Sequence, residues 1–176
     1  DVGSEDLTKH TDYTNEAWAG FVGGRALIHS VDGELSDEQL TELTAFRDQA
    51  VEAWENAIAS TVVHYINDTL QDMEGIRDME DGGSANYNFV NHAKHWSELK
   101  GFALGLQFNP YSPLSDEDFV TFHNLIGDRP VIDHTMYSDA DIFAYKQALL
   151  DARCLLQKSY QFHSGNMGDV AGQGGW

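Results

Sequence analysis

Three segments open with the same short word, a serine followed by acidic residues: Ser36-Asp37-Glu38-Gln39, Ser115-Asp116-Glu117-Asp118 and Ser138-Asp139-Ala140-Asp141. A serine oxygen can accept from a free amide of a first helical turn, and the acids behind it meet the positive end of the helix dipole. Each word therefore predicts a helix start. The three prolines, Pro110, Pro113 and Pro130, all fall between the helices so drawn, where a missing amide costs nothing. No segment alternates with period two between hairpin turns, so sheet is excluded as the organising element.

The apolar spacing fills in the rest. The longest helix runs from about Ser36 to Leu70, with Leu40, Leu43, Phe46, Ala50, Trp54, Ala57, Ile58, Thr61 and Tyr65 stepping by three or four as one buried stripe. A shorter helix from about Tyr13 to His29 carries Trp18, Phe21, Val22, Arg25 and His29 on one side and is weakened by Gly23-Gly24. A polar loop ends at Asp81-Gly82-Gly83. Helices then follow over about Ser84–Phe108, Ser115–Ile126 and Ser138–Phe162. The expected fold is all-α, a helical bundle of four long helices and one short one. Residues 1–163 make a single helical domain, and 164–176 a glycine-rich irregular tail that lies against something.

Composition narrows the function. Ten Lys and Arg against twenty-nine Asp and Glu give a formal charge of -19, which repels phosphate backbones and anionic headgroups, so nucleic acid is excluded as a partner. No run of about 18 apolar residues marks a membrane span. The first residue is Asp, and a processed form of a longer precursor is expected. Cys154 stands alone, which rules out an internal disulfide or a cysteine metal cluster; with Leu155 and Leu156 beside it, it reads as a small buried residue. The acidic run from Asp72 to Asp81 lacks the spacing of a calcium loop and reads as a solvated segment.

The most informative stretch is Asn91-His92-Ala93-Lys94-His95-Trp96-Ser97-Glu98. On a helix, His92, Trp96, Leu99, Ala103 and Leu106 share one face, with His95 and Phe102 at its edge and Glu98 a little beyond. Residues three apart are neighbours, so His95 and Glu98 can hydrogen-bond or approach one cation from the same side. His92 lies about 9 Å of helix rise from Glu98, so one ion cannot take all three. Two ligands leave a site open, and His92, His64, His29 and His163, each on or beside an apolar stripe, are candidate additional ligands. Arg25, on the apolar side of its helix, asks for a carboxylate, and Glu98 is one candidate. Zinc-peptidase, nucleophile-elbow, phosphate-loop and dinucleotide motifs are absent.

Ala93-Lys94-His95-Trp96-Ser97-Glu98 resembles the Gly-x-His-x-x-Glu motif of imelysin-type proteins, helical bundles of bacterial envelopes associated with iron uptake, with Ala93 in place of the motif's glycine. Over about residues 10–130, from Gly-Gly-Arg-Ala-Leu-Ile at 23–28 to Leu106-Gln107-Phe108-Asn109-Pro110, the chain is more closely similar to the envelope family called domain of unknown function 4856. That resemblance implies a periplasmic, envelope-associated or secreted bacterial protein. It also implies that this chain is the carboxy-terminal part of a longer one, whose other part, or a second copy, would be its partner.

The leading expectation is therefore a protein that binds a transition metal, iron favoured, through His95 and Glu98 for capture or delivery without catalysis. The alternative is a non-catalytic interaction or assembly module with an acidic surface and no metal. A metal-dependent oxidoreductase is the weakest reading, because no Glu stands three residues before any His, as the paired helices of a di-iron bundle require.

Overall fold

The computed structural model describes residues 9–77, 87–132 and 136–176. The fold is all-α: α1 (Tyr13–His29), α2 (Asp37–Arg77), α3 (Phe89–Gly105), α4 (Asp116–Ile126) and α5 (Asp139–Tyr160), followed by a 3-10 turn at Ser164–Asn166. No strand occurs among the described residues. No helix there is long and apolar enough to cross a membrane.

All three serine words cap as expected. The Ser115 and Ser138 hydroxyls accept from the amides of Asp118 and Asp141, and Ser36 accepts from Gln39 at 3.3 Å. At Ser138 the exchange is reciprocal, because its own amide donates to Asp141 Oδ2 at 2.9 Å, forming a capping box. Two boundaries move. α2 continues past Leu70 to Arg77, because Met73 and Ile76 prolong the helical spacing and are wholly buried. α3 begins at Phe89, capped by Asn88, whereas the expected start at Ser84 and the loop ending at Gly83 lie outside the described residues.

Two compact units emerge. The first, His10–Ile58, holds α1 and the opening turns of α2. Here the expected stripe of α1 faces outward: Trp18 and Phe21 are exposed, as is Arg25. The inward face is built from Gly20 and Gly24, and a β-carbon at Gly20 would stand 2.7 Å from the Phe46 carbonyl oxygen. The glycines that reduce helix propensity thus let the backbones approach, while the bulky residues form an outer edge where Phe21 meets Trp54 at 6.2 Å.

The second unit holds Ala59–Trp176 together with Lys9, whose amide donates to Asn166 Oδ1 at 2.7 Å. Its core contains Val62, Val63, Ile66, Leu70 and Met73 of α2, Leu99 and Ala103 of α3, Phe122 and Ile126 of α4, and Leu149 and Leu156 of α5. The buried stripe of α2 in this unit is therefore displaced from the expected Thr61–Tyr65 line onto Val62–Ile66–Leu70. Tyr145 links three helices: its hydroxyl accepts from Trp96 Nε1 at 2.8 Å and donates to the Ile126 carbonyl at 2.9 Å.

The tail is anchored. Asn67 Nδ2 donates to the Trp176 carbonyl at 2.9 Å and Gln71 Nε2 to the Gly172 carbonyl at 2.8 Å, while the Trp176 ring packs edge-on to Phe162. Beneath it Arg153, buried, donates to Asn67 Oδ1 at 2.6 Å. The guanidinium that needs an internal partner is thus Arg153, not Arg25. Cys154, expected inside, is exposed, because its neighbours Ala152, Arg153 and Leu156 take the inward positions of α5.

Candidate functional site

On α2, His64, Asp68 and Asp72 stand four residues apart and so form one ladder along the helix. α3 brings His95 to that ladder. His95 Nδ1 meets Asp72 Oδ2 at 2.7 Å, and His95 Nε2 lies 3.7 Å from Asp68 Oδ2. The same Asp68 oxygen receives His64 Nε2 at 3.3 Å. Two imidazoles from different helices therefore face one carboxylate oxygen, and one of them is held from behind by a second carboxylate.

Burial grades across the group. The His95 and Asp72 side chains keep 20% and 15% of their exposure, whereas His64 keeps 47%, so the ladder opens to solvent at its His64 end. Burial raises the Asp72 carboxyl above the usual range; the His95 contact opposes that and the nearby Asp68 charge adds to it.

Glu98 borders the same group. Glu98 stands one turn after His95 on α3, and Lys94 Nζ lies 3.8 Å from its Oε2, beyond hydrogen-bond reach. That oxygen is buried and without a hydrogen-bond partner. Desolvation raises the Tyr65 phenol, and the Glu98 and Asp68 charges push it the same way. The Tyr65 ring stacks on Phe102 at 5.6 Å and lies 6.3 Å from the His95 ring.

The other expected ligands go elsewhere, His64 excepted. His92 is fully buried, its Nδ1 is 3.1 Å from the Tyr87 hydroxyl, and its Nε2 has no partner. Burial, with a smaller contribution from the charge of His95, lowers its pKa to about 4, so it is neutral at physiological pH. His163 is exposed and caps the 3-10 turn, its Nδ1 accepting from the Gly165 amide at 3.2 Å. His29 is exposed at the end of α1 in the first unit. Among the described residues no three His, Cys, Asp or Glu side chains stand in a ready-made metal-binding arrangement.

Asp68 and Asp72 are the residues that reading the sequence overlooks as site members. The available signal is the four-residue ladder from His64, which places both on one helix face. Comparison of the chain with family models, curated proteins and solved structures returned no match.

Proposed function

We propose that the chain captures a transition-metal ion between α2 and α3, with His95, Asp68 and His64 as ligands, Glu98 closing the site and Asp72 orienting His95. The observation that carries this reading is the pair of imidazole nitrogens 3.3 and 3.7 Å from one Asp68 oxygen. Ligands held about 2.0–2.2 Å from one ion stand about 3–3.5 Å from each other, so only a small inward movement is needed. The donor set fits the group: two imidazoles suit iron, zinc, copper or nickel, and the unpartnered Glu98 oxygen is an acceptor with nothing to accept. Asp72 supplies the carboxylate that metal-bound histidines commonly keep on the far nitrogen, leaving Nε2 with its lone pair toward Asp68.

In the envelope setting implied by the family resemblance, such a site serves capture or delivery. The test is the metal content of protein purified without added metal, and its titration with zinc and iron. Near-stoichiometric uptake is expected in the native chain and its loss in His95→Ala, Asp68→Asn and Glu98→Ala, with affinity falling about 10–100-fold in Asp72→Asn. Equal metal content in native and variant protein removes the site.

A second reading has its own observation: both nitrogens of His95 already face carboxylates, so the group can serve as an ion-pair brace between α2 and α3 in an interaction module. In that case His95→Ala lowers stability and leaves metal content unchanged.

A further inference from the structure

We propose that the α1–α2 hairpin of the first unit is a self-association surface, and that its occupant is the same hairpin of a second copy of this chain. The observation behind this is what the unit buries. From His10 to Ile58 the enclosed residues are Gly20, Gly24, Ala50, Ala53 and Glu55, none of them a large apolar side chain. Helices are held mainly by packing an apolar face, and a seam of glycines and alanines removes little surface from water.

The tryptophans of the unit and Phe21 stand outside that seam. On α1, at 100° per residue, Ile28, Phe21, Trp18 and Val22 span an arc of about 120° turned away from Gly20. All four are exposed, Trp18 at 69% and Phe21 at 56%. Trp54 of α2, 60% exposed, meets Phe21 edge-on and so continues the patch onto the second helix. The rings of Trp18, Phe21 and Trp54 alone offer roughly 400 Å². That is half of the about 800 Å² that each partner gives to a specific interface.

Charge points to a second copy. With a net charge of -19, two of these chains repel in most orientations. No acid lies between Trp18 and Ile28, and the α2 positions on the Trp54 side, Arg47, Val51 and Ile58, carry none either. Asp48, next to them, is engaged by Arg47 at 2.6 Å. Glu16, Glu42 and Glu52 fall on other sides of their helices. Arg25 and Arg47, the cations of the unit, both fall on the aromatic side. A face that meets itself about a two-fold axis here sets no carboxylate against a carboxylate, and it brings positive charge to the place where two acidic chains touch. Each guanidinium can also lie on an aromatic ring of the other copy. Two hairpins paired in this way make a four-helix arrangement that encloses both sets of rings.

The test is sedimentation equilibrium of the full chain between about 1 and 100 μM, in about 0.15 and 0.5 M sodium chloride. A monomer–dimer equilibrium is expected. It should tighten at the higher salt, which screens the repulsion between the chains and leaves the apolar contact intact. Trp18→Gln and Phe21→Gln change exposed positions and keep helix propensity, and each should raise the dimer dissociation constant about thirtyfold or more. Phe143→Gln, exposed on α5 of the second unit, should leave it within about twofold. A native chain that is monomeric at every concentration overturns the proposal; a blue shift of its tryptophan emission on adding phosphatidylcholine vesicles would then assign the face to a lipid surface instead. A dimer that both α1 variants leave unchanged also overturns it, since the interface then lies elsewhere.

Discussion

Acidification from pH 7 to pH 5 isolates one buried group, His92. Its ring is wholly enclosed. The Tyr87 hydroxyl donates to the Ile132 carbonyl, so its oxygen is left to accept from His92 Nδ1–H, and His92 Nε2 carries a lone pair facing no donor. Protonating Nε2 creates a buried cation whose new N–H has no acceptor. That is the physical reason its pKa falls from 6.5 to about 4. The folded state therefore binds fewer protons than the unfolded chain between those two values. Stability from this group is complete above about pH 6.5 and is lost as pH falls toward about 4. One pKa unit is about 1.4 kcal/mol, so the full loss is roughly 3 kcal/mol, of which about 2 kcal/mol has gone by pH 5.

The assay is urea unfolding at both pH values for the native chain and for His92→Asn. Asparagine retains a donor near the Nδ1 position and does not titrate. Hydrogen exchange of α3 amides reports on the unit that holds His92. The variant starts less stable because of the space it leaves, yet it should lose about 2 kcal/mol less than the native chain on going to pH 5. Every other titrating group is common to both and cancels in the difference. Parallel losses in the two proteins would refute the argument, since His92 would then have found an acceptor or solvent.

Two further outcomes follow from local geometry. Ser138→Ala removes the hydroxyl half of the α5 capping box, leaving the backbone amide at 138 to donate to Asp141, and should cost about 0.5–2 kcal/mol in urea unfolding, with lowered protection of the first-turn amides of α5. Gly172→Ala places a methyl 2.2 Å from the Asn67 carbonyl oxygen at a residue whose φ is 79°, so the tail should lift from α2; limited proteolysis is expected to cleave after the variant's tail residues faster than in the native chain, and equal rates would count against the tail's anchoring there.

What the sequence makes legible here is what is decided within one helix. A serine cap needs only residues three positions on, and so the starts at Ser36, Ser115 and Ser138 are read correctly from composition and spacing. The end of α2 depends on burial: Asp72 and Glu74 look like the beginning of a solvated run, but Met73 between them and Ile76 beyond them are enclosed, and that enclosure comes from elsewhere in the chain. α1 errs for a related reason, since hydrophobicity singles out Trp18 and Phe21, while the contact with α2 is governed by how closely Gly20 lets the two backbones approach. The site divides along the same line. The spacing of His95 and Glu98 tells which two side chains can share a cation, but it cannot tell which carboxylate meets His95 Nδ1. That is settled by Asp72, 23 residues earlier on another helix. The chemistry of His95 is consequently a property of how α2 and α3 pair. A change on α2 that leaves every residue of the His95–Glu98 motif intact, such as Asp72→Asn, is therefore the sharper probe of what that motif does.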